Sequence, residues 1–319
     1  MTVLQSSDLK DLVNGVVIRG CVLCESITLT STKDGKPYAS GVFRSGEASL
    51  PFRAWSGTDA LSYIEHTDVE GKVVDIEGVG SAYQGAMQLK LSSLRVVDEP
   101  EVTFFLPCPY NCDSYEEVLK KLVQATVTPK GYQLADRVLF SSDIMVLFKR
   151  EFAASNHHDN CVGGLLAHTL KVCKGLQYYM TFYRGLFSKE DGSADTDFVD
   201  LVMLGGLFHD IGKVYEMSYG VYTKHSIVTH RFLGAEYLMG NKDYIISSYG
   251  EDWWYNLVSV VMQHHDEYAE RCRTLAAYLV SRADRLDSEL TLLEQKVKAP
   301  EKRVQGDVVK MDEDYLQLR

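Results

Sequence analysis

The chain has 319 residues, is 45% hydrophobic and carries a formal net charge of −11. That length predicts about two domains of ~100–200 residues each, and no apolar run approaches the ~20 residues that cross a bilayer. The acidic balance argues against nucleic-acid binding through overall charge, while leaving room for a local basic groove. Seven cysteines scattered over the chain read as reduced thiols, not a disulfide scaffold. The start, Met1-Thr2-Val3-Leu4-Gln5-Ser6-Ser7-Asp8, lacks the basic and apolar regions of a secretory signal. A cytoplasmic location is therefore expected.

The first part reads as β. Val13 to Val22, Tyr38 to Arg44, Ser49 to Trp55, Lys72 to Val79 and Met87 to Val96 are short β-rich runs. Turn signals separate them: Lys33-Asp34-Gly35-Lys36-Pro37, Ser45-Gly46-Glu47 and Tyr83-Gln84-Gly85. Asp59 to His66 fits one short helix after the third strand. Five strands with a helix in that place follow the plan of an OB-fold barrel, which binds oligonucleotides on one face. The alternative is a small barrel that binds protein, since one fold hosts many functions. Strand alternation puts Phe52 and Ala54 on one side and Arg53 and Trp55 on the other. Rings beside cations suit a single strand, with bases stacked and phosphates neutralised. Tyr38, Arg44, Arg53 and Trp55 are the candidate nucleic-acid contacts.

A boundary is expected at Asp98-Glu99-Pro100, followed by a helical connector over residues 99–155. Ser114-Tyr115-Glu116-Glu117 has the form of a capping box, with Val118, Leu119, Leu122 and Val123 at helical spacing behind it. Phe140 to Phe152 is a second amphipathic candidate. Cys21-Val22-Leu23-Cys24 and Cys108-Pro109-Tyr110-Asn111-Cys112 together offer four thiolates for zinc. Against that, an offset of three within a strand puts Cys21 and Cys24 on opposite faces.

The chemistry concentrates further on. His209-Asp210-Ile211-Gly212-Lys213 closes an apolar helical run, Phe198 to Phe208, and sets an imidazole beside a carboxylate. Gly212 would let the chain turn tightly there. His168 lies upstream in an apolar helix. His230, His264, His265 and Asp284 lie downstream, in or beside helix-like segments. Any one of them alone reads as a satisfied core histidine or a solvent-facing aspartate. Asp284 and Asp287 share a helix face, and a carboxylate within an apolar helix is costly unless paired or metal-bound. Nitrogen and oxygen donors without thiolate suit Mn²⁺, Fe, Mg²⁺ or Zn²⁺.

The ordered set of His168, His209-Asp210, His230, His264-His265 and Asp284 resembles the HD-domain metal-dependent phosphohydrolases. The stretches from His157-His158 through Gly163-Gly164-Leu165-Leu166 to His168-Thr169-Leu170, then Leu207 to Glu216, and Ala283-Asp284-Arg285-Leu286-Asp287 are similar to the YhaM family. These are bacterial 3′-to-5′ exoribonucleases that also carry an N-terminal OB-fold. The resemblance implies a multi-domain α and β protein. Its parts are an OB-fold barrel over residues 1–98, the connector, an all-α HD domain over residues 156–298 and a charged tail over residues 299–319. In the tail, Tyr315, Leu316 and Leu318 are candidates to dock. The resemblance also implies a metal-dependent exonuclease that takes single-stranded RNA, or DNA, to nucleoside 5′-monophosphates. His168, His209, Asp210 and Asp284 would hold one metal, and Asp210, His230, His264 and His265 a second, with Mn²⁺ the first expectation. Two ions ~3.5–4 Å apart clamp a phosphodiester and activate the attacking water. Lys213 would neutralise a phosphate oxygen, and His157 and His158 would position the strand end or leaving oxygen. Homo-oligomerisation is left open.

This chain departs from the family in having Ala167 where Glu is usual. It reads Asp266-Glu267-Tyr268-Ala269-Glu270-Arg271-Cys272 where a Gly-Ser-Pro stretch is usual. No carboxylate stands one turn before His168, at Gly164, which argues against a third metal. Two rival readings are an HD phosphohydrolase acting on mononucleotides or cyclic nucleotides, and a non-catalytic binding module with a structural metal.

Overall fold

The computed structural model describes residues 2–46, 48–83, 85–97, 105–155, 157–266, 269–298, 308–311 and 314–317. The chain forms two compact units, Met1–Cys108 and Pro109–Arg319. The boundary expected at Asp98-Glu99-Pro100 lies outside the described residues.

The first unit opens with a short helix α1 (Ser6–Lys10). It is otherwise built from strands β1 (Val17–Ser31), β2 (Pro37–Ser45) and β3 (Ala48–Trp55), helix α2 (Asp59–Ile64), and strands β4 (Val73–Tyr83) and β5 (Ala86–Val96). The strands close into a barrel in the order β1-β2-β3-β5-β4, with β1 also paired to β4. All pairs are antiparallel except β3 with β5. This is the OB-fold plan. Alternation decides the interior. Ala39, Phe43, Leu50, Phe52 and Ala54 point inward with Leu89 and Leu91, and the Phe43 and Phe52 rings stack at 4.0 Å.

β1 runs to Ser31, well past the expected Val22. Its second half, Ile27-Thr28-Leu29-Thr30, alternates apolar and polar residues but is largely exposed, with Leu29 at 51%, so it pairs with β2 while adding little to the barrel core. Cys24 joins the barrel core while Cys21 packs outside it with Leu23, Val73 and Phe105. The two thiols thus face apart, and no metal-spaced group among the described residues contains a cysteine.

The second unit is helical: α3 (Cys112–Thr126), α4 (Pro129–Ala135), α5 (Ile144–Phe148), α6 (Gly164–Phe182), α7 (Thr196–Phe208), α8 (Lys213–Glu216), α9 (Thr229–Met239), α10 (Lys242–Tyr249), α11 (Glu251–Gln263) and α12 (Leu275–Lys298). A hairpin of β6 (Met217–Ser218) and β7 (Val221–Tyr222) follows α8, and β8 (Val308–Met311) pairs with β9 (Asp314–Gln317). The last pair lies in the expected tail; Val309 is buried and Leu316 is partly exposed. Leu318 lies outside the described residues.

The cap of α3 is Asn111, whose side chain accepts the Ser114 N–H at 3.0 Å, so the helix starts two residues before the expected capping box. Phe140 to Phe152 is not one helix. A π-helical turn, Asp136–Phe140, ends where the segment begins, and within it Ile144–Phe148 forms the short α5. Phe140, Ile144, Met145, Phe148 and Phe152 are buried, while Val146 is 66% exposed. Helix α7 is buried continuously from Asp200 to Phe208, as expected of a helix apolar all round. It forms the centre against which α6, α11 and α12 pack.

Candidate functional site

Each candidate ligand leaves a helix where packing fixes it. The buried helix α7 ends at His209 and Asp210. His168 sits on α6, Asp284 and Asp287 sit on α12, His230 begins α9, and His264-His265 follow α11. Gly212 is required, but not for a left-handed turn, since its φ is −71°. A Cβ there would lie 1.9 Å from the His230 carbonyl oxygen and 2.4 Å from the Gly234 nitrogen. The glycine therefore permits the backbone after Asp210 to touch α9.

The donors form two groups sharing one carboxylate. His168 Nε2 lies 3.2 Å from His209 Nε2, 3.1 Å from Asp284 Oδ1 and 3.6 Å from Asp210 Oδ2. His209 Nε2 is 3.3 Å from the same Asp210 oxygen. On the other side, Asp210 Oδ1 is 3.5 Å from both His230 Nε2 and His264 Nε2, and His265 Nε2 is 3.2 Å from His230 Nε2. Donors roughly 2.1 Å from an ion sit roughly 3–3.5 Å from one another, so both groups have the spacing of a coordination shell. Asp210 Oδ1 and His264 Nε2 are buried without a hydrogen-bond partner among the described residues. A cation between them would remove that penalty, which is otherwise ~1–3 kcal/mol per orphaned group. The residues present therefore fit a metal.

The outer partners agree. His209 Nδ1 donates to Gly206 O at 2.7 Å and His264 Nδ1 to Val261 O at 2.9 Å. Asp287 Oδ2 stands 2.7 Å from His168 Nδ1, and Glu216 Oε2 stands 2.8 Å from His230 Nδ1. For His209, His230 and His264 the contact holds the proton on Nδ1 and leaves the Nε2 lone pair facing the centre; His168 has a carboxylate at each ring nitrogen and presents its Nε2 to a cation only on losing that proton. Asp287 and Glu216 have no ligand-like sequence signal of their own. Only the i, i+3 relation of Asp287 to Asp284 hinted at its role. Behind Asp287, Lys171 Nζ bridges Asp287, Thr291 and the buried Asp159, with Asp159 Oδ2 at 2.8 Å. His158, Asp159, His168 and Asp287 are close enough to hold an ion among themselves. The Lys171 ammonium already supplies a positive charge to both carboxylates there.

Burial and charge set the protonation. Burial alone would raise the Asp210 carboxyl, but Lys213 and His209 hold it ionised, well below the usual carboxylate range. Burial lowers His264 to about 4 and His265 to about 2, so both are neutral donors near pH 7. Burial also pulls His168 down, yet Asp284 and Asp287 override it and raise the ring to about 9.

Lys213 is buried, with Nζ 2.7 Å from Asp210 Oδ2 and donating to Ala153 O. Its charge is thus committed to the shared carboxylate. His158 packs its ring 4.8 Å from that of His168, while His157 is exposed. Both line a cavity of ≈ 430 Å³ that also exposes Lys213, Arg231, Arg282 and Arg285. The three arginines were not singled out from the sequence. Arg282 donates to Asp266, just after His265, and Arg285 pairs with Glu289 at 2.7 Å.

In the barrel unit, Tyr38 and Trp55 stack at 5.0 Å. The Arg53 guanidinium lies 5.7 Å from the Trp55 ring centre and 4.7 Å from that of Tyr83. Lys90 stands beside Arg53 in the parallel β3–β5 register. Arg44 instead makes two hydrogen bonds to Glu25, at 2.6 and 2.8 Å.

Residues 165–289 match the family model described as "HD domain". This segment is an HD domain. Three relatives, each named 3′-5′ exoribonuclease YhaM, match around it. The one from Halalkalibacterium halodurans is 27% identical over 67% of this chain and 63% of its own length. That from Oceanobacillus iheyensis is 24% identical over 67% of this chain and 66% of its own. That from a Geobacillus species is 24% identical over 62% of this chain and 57% of its own. The resemblance read from the motifs is borne out, and the match spans less than two thirds of each relative. The SSB domain of a Synechococcus protein is similar at 16% identity over 26% of this chain and 94% of that chain, with a TM-score of 0.22. The OB-fold assignment rests on the barrel's own strand order. No described helix is long and apolar enough to cross a membrane.

Proposed function

We propose that this protein is a metal-dependent 3′-to-5′ exonuclease that hydrolyses single-stranded RNA, and in a second preference single-stranded DNA, to nucleoside 5′-monophosphates. The observation that carries the reading is the Asp210 carboxylate, whose two oxygens face two separate sets of imidazole nitrogens. His168, His209, Asp210 and Asp284 would hold one ion, and Asp210, His230, His264 and His265 the other, with Mn²⁺ first among the metals this donor set suits. Held there, such ions would supply Lewis-acid stabilisation of a phosphodiester and a lowered pKa for the attacking water.

The chain's own residues do the rest. Asp287, Glu216, Gly206 and Val261 orient four imidazoles through their Nδ1 atoms. Lys213 keeps Asp210 ionised and oriented through its short ion pair. Arg231 lines the cavity with one guanidinium nitrogen given to the Met262 carbonyl, and Arg282 and Arg285 would have to exchange Asp266 and Glu289 for the phosphates of an entering strand; His157 and His158 stand at the cavity wall to position its end. Tyr38, Arg53, Trp55 and Tyr83 supply a stacking surface on the barrel for upstream bases. Direction and polymer preference follow the activity for which the three relatives are named.

The test is degradation of 5′-labelled single-stranded RNA, and matching DNA, with Mn²⁺ and with EDTA as control. A metal-dependent ladder shortening from the 3′ end is expected. No cleavage of either polymer by metal-loaded protein would overturn the proposal. A cavity of ≈ 430 Å³ also suits a single nucleotide. The alternative is therefore a phosphohydrolase of mononucleotides or cyclic nucleotides, which a nucleotide panel would reveal.

A further inference from the structure

Between Asp159 and Glu190 the chain contains no carboxylate side chain, although its net charge is −11. Lys174, Arg184 and Lys189 in this stretch are exposed. The same stretch ends α6 in a cluster of exposed rings. Tyr178 is 54% exposed, Phe182 68% and Tyr183 54%. The Tyr178 ring lies 4.7 Å from Phe182 and 6.4 Å from Tyr183, and Tyr179 lies 6.3 Å from Tyr183. Lys174, Tyr178 and Phe182 follow one another at intervals of four, so they share one helix face. Soluble surfaces rarely gather large rings without a use.

The cluster leads toward the cavity. Gly175 of α6 comes within contact distance of Ala283 of α12, at 3.6 Å from a built Cβ. Burial and the neighbouring Tyr183 push the Tyr179 hydroxyl up, and the Arg282 guanidinium is near enough to pull it part of the way back. Arg282 lines the cavity and lies 4.8 Å over the ring of Tyr278, which is itself half exposed.

We propose that the C-terminal end of α6 is a second single-strand binding site on the HD domain, where bases of the substrate stack on Tyr178, Phe182 and Tyr183 and phosphates meet Lys174 and Arg184. The inference rests on the exonuclease reading and deepens it, because it names where nucleotides beyond the reacting one are held. Rings interleaved with cations, with no carboxylate among them in the chain, favour a polyanion with flat bases over an apolar protein partner. Stacking is indifferent to base identity, so the site adds affinity for length and not for sequence.

The test uses the full chain loaded with Mn²⁺. One variant carries Tyr178→Ala, Phe182→Ala and Tyr183→Ala; a second carries Tyr178→Phe and Tyr183→Phe, which keeps the rings. Binding of a fluorescent, phosphorothioate-linked 12-nucleotide single strand is measured beside cleavage of a dinucleotide and of a 12-mer. The expected result is about a tenfold loss of 12-mer affinity in the alanine variant, near-native affinity in the phenylalanine variant, and an unchanged dinucleotide rate. Lys174→Ala with Arg184→Ala should flatten the salt dependence of binding by about 1.4 in log–log slope. Unchanged 12-mer affinity in the alanine variant overturns the proposal. So does a change of solution mass by light scattering with RNA affinity retained, which would make the face a contact between protein chains. If the unmodified chain cleaves neither substrate, the exonuclease reading fails, and the binding measurement still decides this site.

Discussion

The barrel and the helical unit place their candidate functional side chains in opposite environments. On the barrel, Arg53 and Trp55 lie on the partly exposed side of a strand whose other side is fully buried. In the helical unit, His168, His209 and Asp210 are buried almost completely. An exposed platform needs only strand alternation and neighbours of the right type. A buried polar centre needs partners delivered from α6, α7, α9, α11 and α12, and every uncommitted atom there is a cost. The barrel face should therefore tolerate substitution with graded loss of affinity, whereas the metal centre should fail abruptly.

The contrast can be broken at its strongest point first. Asp210→Ala removes a donor from both groups and is expected to lower kcat/KM on the order of 10³-fold or more, with the circular-dichroism spectrum unchanged. Retained turnover would remove the shared carboxylate from the mechanism. Asp287→Ala and Glu216→Ala act one step outward. Each should weaken metal affinity by roughly 10–100-fold, read by metal titration of the dialysed protein, and an unchanged affinity would make these contacts purely structural. On the barrel, Arg53→Ala with Trp55→Ala should raise KM about tenfold on long single strands while leaving dinucleotide KM unchanged. Equal effects on both would take the barrel out of substrate binding. The smallest effect is expected from Arg44→Ala. Its guanidinium is spent on Glu25, in a partly exposed pair worth about 0–1 kcal/mol. Thermal stability should fall slightly and KM should change less than twofold.

The legibility of the two units follows the same divide. Alternation in Ser49–Trp55 announced both the inward Phe52 and the outward Arg53. The exposed half of β1 carries the same alternation, Ile27 and Leu29 against Thr28 and Thr30, but buries little of it, Leu29 being 51% exposed. In the helical unit, the His and Asp candidate ligands could be named because their spacing along the chain resembles a known order. Their supports could not. Glu216 gives no sign in the sequence and Asp287 only its i, i+3 relation to Asp284, and folding is what brings each to an imidazole Nδ1. Lys213 reads in sequence as a cation facing substrate, yet its ammonium is held by Asp210 and the Ala153 carbonyl. The arginines of the cavity carry no local pattern, because a solvent-facing arginine on a helix looks the same whether or not a ligand lies opposite.

The contact between Gly212 and α9 has a consequence for how the two donor sets are joined. His209 and Asp210 lie on one side of that contact and His230 on the other, so the gap between the sets is ruled by backbone meeting backbone. Such a joint has no side chain to compress and no rotamer to change. A single methyl group at position 212 would act as a shim, pushing His230 outward while His168, His209 and Asp284 stay in register. Gly212→Ala should therefore yield a protein that takes up less metal than the parent, one equivalent if the parent takes the proposed two, and equal stoichiometry by metal analysis would show that α9 can yield.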